Sequence, residues 1–252
     1  METKSMSLLR LMNSPAKKGS QYQPTVIEHM ANCVTHGVWI LPTFYAAGDM
    51  LEAATTAGEK ANAVLFTVAL LGVFVISTMF HVVAWCGTKA RLRLYLHIGD
   101  RAVIYLFIAA SYTPWLTLKK VGIIGQSIFF LVWVCAMLGI VYSYWFYEKY
   151  KRLETVLYLV LGIGPSIAVL DVQCSNDGMY ELALGGLVYV LGVIFFKSDG
   201  IIPCAHAIWH LFVAVGAGLH FYAISTYLMG SARGPDVQKG EALAPIHHLG
   251  SI

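Results

Sequence analysis

Apolar residues run along this chain in seven stretches parted by short polar connections. They are Ile27–Met50, Ala61–Trp85, Tyr95–Leu116, Ile123–Phe146, Leu153–Leu170, Leu182–Phe196 and Ala205–Leu228. A bilayer core takes about 20 mainly apolar residues per helix, so the pattern predicts an all-α, seven-transmembrane helix bundle in one domain over residues 27–229. Residues 1–26 form a basic N-terminal segment, and residues 230–252 a Gly-, Pro- and polar-rich tail expected to be disordered. The first and third stretches are the least clean, because each carries ionisable groups. Gly185, Gly186, Gly192, Gly216 and Gly218 suit close helix packing in the last two.

Composition agrees with that pattern. The chain of 252 residues is 58% hydrophobic and 12% charged, against about 25% charged in an average soluble domain. A net charge of +3 makes no case for nucleic acid. The five cysteines, Cys33, Cys86, Cys135, Cys174 and Cys204, show no CxxC spacing and argue against a disulfide framework. No cleavable signal peptide stands in the first 26 residues.

Lysine and arginine set the expected orientation. One set of flanks holds Lys4, Arg10, Lys17, Lys18, Lys89, Arg91, Arg93, Lys149, Lys151, Arg152 and Lys197; the other holds Lys60, Lys119, Lys120, Arg233 and Lys239. The positive-inside rule then puts the N-terminus in the cytosol and the C-terminus on the lumenal or extracellular side. Seven spans with that orientation are inverted relative to a G-protein-coupled receptor.

Polar residues inside spans are expensive and mark function. Glu28, Asn32 and His36 share a face of the first span; Ser77 and His81 end the second; His97 and Asp100 begin the third; His206 and His210 begin the seventh. Residues four apart lie on one helix face. With the expected orientation, all four groups fall at one depth, near the cytosolic end. Three imidazoles, His81, His206 and His210, with the carboxylate Asp100, make a possible zinc sphere. "HAIWH" lacks the glutamate of HExxH, which excludes a zincin protease. The competing reading of these histidines is hydrogen-bonded helix packing. Glu28, Asn32 and His36 read as a supporting hydrogen-bond network rather than as ligands. His97 reads as facing the interface, and Arg101 as paired with a carboxylate or reaching the headgroups. His220 lies about 15 Å from His210 at 1.5 Å per residue, too far to share a metal, and reads as a buried hydrogen-bonding residue. Trp85, Trp115, Trp145 and Tyr147 read as interface anchors.

Taken together, Glu28-x3-Asn32-x3-His36, Ser77-x3-His81, Asp100, His206-x3-His210 and His220 resemble the progestin and adipoQ receptor family, also called haemolysin III related. "STMFHVVAW", "HIGDRAVIYLFIAASYTPWL", "FFKSDGIIPCAHAIWHLFV" and "NCVTHG" look closest to its monocyte-to-macrophage differentiation factor branch. The resemblance runs from about Tyr22 to Leu228. It implies a buried zinc held by His81, His206 and His210, with Asp100 orienting water and Ser77 one turn from the first ligand. The spacing between His81 and Asp100 departs from that of adiponectin receptors, and the short N-terminus implies no folded cytosolic cap. The branch implies an endomembrane signalling protein, at the Golgi or late endosome and lysosome, meeting membrane lipids and cytosolic signalling proteins. Two functions follow: a receptor or scaffold with structural zinc, or a zinc-dependent hydrolase of lipid amides such as ceramide. A channel lined by histidines is weaker, because no inverted repeat or broken-helix pair is present.

Overall fold

The computed structural model describes residues 10–17, 20–87, 90–119, 121–171 and 178–230, with side chains omitted at 167–171. The first nine residues and the tail beyond Gly230 lie outside the described residues. The described chain is all-helical: α1 (Val26–Gly37), α2 (Ile40–Ala53), α3 (Ala57–Cys86), α4 (Ala90–Leu118), α5 (Gly122–Trp145), α6 (Lys151–Asp171), α7 (Met179–Phe196) and α8 (Ala205–Leu228). Five of these, α3, α4, α5, α7 and α8, are long and apolar enough to cross a membrane.

The expected first stretch is two helices rather than one. Val38 and Trp39 keep right-handed backbone angles between α1 and α2, so the chain is interrupted without reversing. Helices α3 and α4 begin four and five residues earlier than the apolar pattern, on polar first turns, whereas α8 begins at Ala205 as expected. Thr25 caps α1: its hydroxyl accepts from the Glu28 amide while the Glu28 carboxylate accepts from the Thr25 amide. Thr56 caps α3 by accepting from the Glu59 amide. Gly87 ends α3 in the left-handed region, at φ 66°, where a side chain would be strained.

Packing makes a ring around α4. Helix α3 packs on α4, α1 and α2; α4 also meets α5, α6 and α8; α7 packs along α8; and α8 closes back on α1. The main core lies between α3, α4 and α8, around Phe66, Val73, Phe107, Ala217 and Ile224. Outward faces stay apolar: Phe130 on α5 is 66% exposed and Ile194 on α7 is 59% exposed. In water such faces would drive association; in a bilayer they are the solvent-facing surface. Gly185, Gly192 and Gly216 admit His220, Trp209 and Tyr189 respectively, whereas nothing approaches Gly186 or Gly218.

One residue expected to anchor at the interface is instead internal. Trp115 is 2% exposed, because α4 lies at the centre of the ring. Tyr147 shares a hydrogen bond with Nδ1 of His97. His97 itself is buried and stacks on Phe80, with ring centroids 4.5 Å apart, so it does not face the interface.

Candidate metal centre

Helix α3 delivers His81 near its end, and α8 delivers His206 and His210 from its first two turns. A ligand atom of each ring lies within 4.8 Å of the other two. Helix α8 can start just before His206 because Cys204 adopts φ 53°, an uncommon conformation for a residue with a side chain. His81 and His210 are buried; His206 is half-buried.

The rings are oriented by what stands behind them. Thr35 Oγ1 donates to the Ala31 carbonyl at 2.8 Å and lies 3.0 Å from His210 Nδ1. With Thr35 accepting an Nδ1–H, His210 offers the Nε2 lone pair to a metal. Asp199 Oδ2 lies 3.7 Å from His206 Nδ1, a carboxylate facing that edge of the ring. Both nitrogens of His81 are buried without a hydrogen-bond partner. Burying an imidazole with no partner is unfavourable, and three converging lone pairs with one orphaned ring fit a cation that prefers nitrogen. Zinc does. Asp199 stands in the turn between α7 and α8, where burial pushes its carboxyl above the usual range while the His206 ring pulls it down.

The other predicted residues take several places. Asp100, half-buried on α4, lies outside the three-histidine group but against Ser77 and the His206 ring. Ser77 is 1% exposed. His36 stacks on His210, with centroids 3.7 Å apart. Asn32 is 1% exposed, with Oδ1 unpaired. Glu28, besides its capping role, accepts from the Tyr22 hydroxyl at 3.0 Å.

All of these border one polar cavity of about 150 Å³, whose wall also includes Arg93, Lys151 and Lys197. Gln21–Pro24 form part of that wall. Short as the N-terminal segment is, it folds back over the site. The Asn13 amide reaches the Tyr22 hydroxyl at 3.0 Å, Asn13 Nδ2 donates to Gln23 O at 2.7 Å, and Lys151 Nζ donates to Ser20 O at 2.7 Å. Burial, first of all, pushes the Tyr22 phenol up to about 12, so it stays a donor to Glu28 at any physiological pH.

Arg101 braces the same wall. Its guanidinium forks to Glu148 at 2.6 Å and Glu154 at 3.0 Å, and Glu154 also accepts from Ser143 and Tyr158. Lys151 completes the pairing of Glu148, which itself sits at φ 60°. Arg101→Ala takes the shared cation from two mostly buried carboxylates, leaving Glu148 with Lys151 and Glu154 with the Ser143 and Tyr158 hydroxyls; removing one partner of a buried pair costs roughly 3–5 kcal/mol. The expected result is a large drop in the unfolding midpoint in detergent. Arg101→Lys should recover only part of it, since an ammonium cannot fork to two carboxylates. A midpoint within error of wild type for Arg101→Ala would show the network to be idle.

A second cavity of about 390 Å³ adjoins the first. It lies among α4, α6, α7 and α8 and is mainly apolar. Val73, Ile104, Phe196, Trp209 and Val213 line both spaces. Helices α6 and α7 touch only sparsely, and Gly162 and Gly186 on its walls keep it open. Asp199, Thr35 and this chamber were not foreseen from the sequence. The only hint of Asp199 was its place in "KSDG", seven residues before His206.

Comparison with known proteins agrees with the geometry. The family model described as haemolysin-III related matches residues 25–221. Monocyte to macrophage differentiation factor of Homo sapiens is 44% identical over 225 residues, covering 88% of this chain and 93% of that protein. The Hemolysin-3 homolog of Bacillus subtilis is 35% identical over 208 residues, covering 81% and 95%. Hemolysin-3 of Bacillus cereus is 30% identical over 212 residues, covering 82% and 94%. With the family match spanning most of the chain and its polar residues gathered at one end of a helical bundle, this protein belongs to the haemolysin-III related, or progestin and adipoQ receptor, family of membrane proteins.

Proposed function

We propose that this protein is a zinc-dependent intramembrane hydrolase of acyl lipids, with lipid amides such as ceramide as the favoured class. One observation carries the reading: the three-histidine group and Asp100 border a polar cavity that adjoins an apolar chamber. That is the shape a lipid with a polar reacting bond and a long tail requires. His81, His206 and His210 would hold the metal, and Asp100 and Ser77 border the same cavity. Zinc held there would supply a Lewis acid and would bring the pKa of a water toward ~7. Asp100 accepts the water's proton on its carboxylate and returns it to the leaving amine. Ser77 orients Asp100. The chamber takes the acyl tail and keeps bulk water from the reacting bond.

The chain is read as seven spans, α1 with α2 counting as the first, with the site near the cytosolic face of an endomembrane such as the Golgi or late endosome. Membrane lipids are its expected partners, and its basic cytosolic loops offer a surface to signalling proteins. A reporter fused before Tyr22 should be reachable from the cytosol and one after Gly230 should not. Both ends on one side would mean an even number of spans.

The direct test is purified protein in lipid nanodiscs with ceramide, with and without a chelator. Amide hydrolysis that stops on chelation and returns with zinc is expected. Bound zinc without turnover of any acyl lipid would sink the hydrolase and leave a receptor or scaffold in which the metal is structural.

A further inference from the structure

We propose that the apolar chamber contains a second recognition point, His220 with Tyr189, for a hydroxyl group carried partway along the lipid tail. The proposal rests on the lipid-binding half of the reading above and is independent of catalysis.

The chamber's polar side chains divide into two kinds. Ser111 donates to the Phe107 carbonyl, Tyr112 to Gly162, Thr155 to Lys151 and Ser166 to Ile163. Those hydroxyls are used by the fold. His220 is 7% exposed, and neither ring nitrogen has a partner; the Tyr189 hydroxyl is likewise buried and unpaired. Among the described residues lining this chamber, these are the two side chains whose buried polar atoms have no partner. Their rings meet edge to face, with centroids 5.5 Å apart.

The backbone makes room for both. A Cβ at Gly185 would stand 2.4 Å from His220 Cδ2 and 2.7 Å from its Nε2, and a Cβ at Gly216 would stand 2.8 Å from Tyr189 Cζ. Two helices thus give up side chains where two polar rings are seated in an otherwise apolar wall. Unpaired buried polar groups oppose folding, and a ligand that pairs them removes the penalty.

Chemistry selects the ligand group. A neutral imidazole offers one donor and one acceptor, and a phenol offers both. A hydroxyl, which also gives and takes, satisfies the pair. A carboxylate or ammonium would be left desolvated in this wall. Position selects where the group sits. His220 follows His210 by ten residues, about 15 Å along α8. A lipid held at the metal centre by its carbonyl end therefore meets the pair well down its tail. Buried waters are the competing occupants, since such groups can hold them.

The test uses purified protein in nanodiscs and a fluorescent fatty acid as the displaced probe. Competitors are a long saturated fatty acid and its mid-chain hydroxy derivative of equal length. Wild type should prefer the hydroxy acid by roughly 3–10-fold, the worth of one net hydrogen bond. Tyr189→Phe, which deletes one oxygen without changing the ring, should cut that ratio, and His220→Phe should bring it close to one. No preference in wild type, or an unchanged ratio in both variants, overturns the proposal and leaves water at the site. Failure of either acid to bind overturns it together with the lipid chamber. A clear preference with no turnover of any acyl lipid supports it and overturns the hydrolase alone.

Discussion

Asp100→Asn should leave zinc content and fold intact while lipid amide hydrolysis falls by about 10²–10⁴, the usual worth of a positioned general base. The substitution keeps the size and planarity of the side chain and removes only its ability to accept a proton. Asp100 lies outside the group of three ring nitrogens, so its loss does not take a ligand from the metal. It sits on α4 against Ser77 of α3 and His206 of α8, three helices that pack around one core. Its position is set by helix packing rather than by a loop, so a neutral amide should occupy the same place. Ser77→Ala tests the same geometry more gently, since it removes a hydroxyl beside the carboxylate and not the carboxylate itself. Rates are to be compared at equal zinc per protein. Turnover unchanged in Asp100→Asn would exclude Asp100 as the base.

Helix-borne polar residues were the legible part of this site. His206 and His210, Ser77 and His81, and Asn32 and His36 are each four apart, and the helical period alone puts each pair on one face. That several helices bring such pairs to one level needed only span order and charge. The unread parts have other origins. Asp199 lies in a turn, where no period points a side chain anywhere. Thr35 neighbours His36 in sequence and reads as a back-bonded helix threonine, which it also is. Its second bond, to His210, exists only because α1 packs on α8. Arg101 was legible as a paired cation, but Glu148 and Glu154 are supplied from beyond α5. The N-terminal segment is polar and basic, a composition that suggests an unpinned tail; Asn13 folds it on itself, and Tyr22 to Glu28 and Lys151 to Ser20 tie it to the bundle. The apolar chamber is a matter of where helices fail to touch, and that has no one-dimensional signature.

His210→Ala should release the metal. Three imidazoles hold a zinc far more tightly than two, and the alanine also leaves Thr35 facing an empty space. Elemental analysis should fall from about one zinc per chain to a small fraction of it, and His81→Ala and His206→Ala should behave alike. The residues behind the rings should matter less, in proportion to what they do. Thr35→Val keeps the shape and removes the acceptor for His210 Nδ1–H; Asp199→Asn removes the charge beside His206 Nδ1. Groups of that kind are worth about 10–100-fold in metal affinity, measurable by competition with a chelating dye. Protons compete for the same lone pairs, so affinity should fall as the pH is lowered, in wild type and variants alike. Unfolding midpoints then separate the roles of the metal. A structural zinc contributes its binding free energy to folding, and His210→Ala would melt well below wild type. A purely catalytic one would leave α3 and α8 held by their apolar core, with the midpoint little changed. Full zinc retained in His210→Ala would overturn the ligand assignment, and with it the chemistry built on these rings.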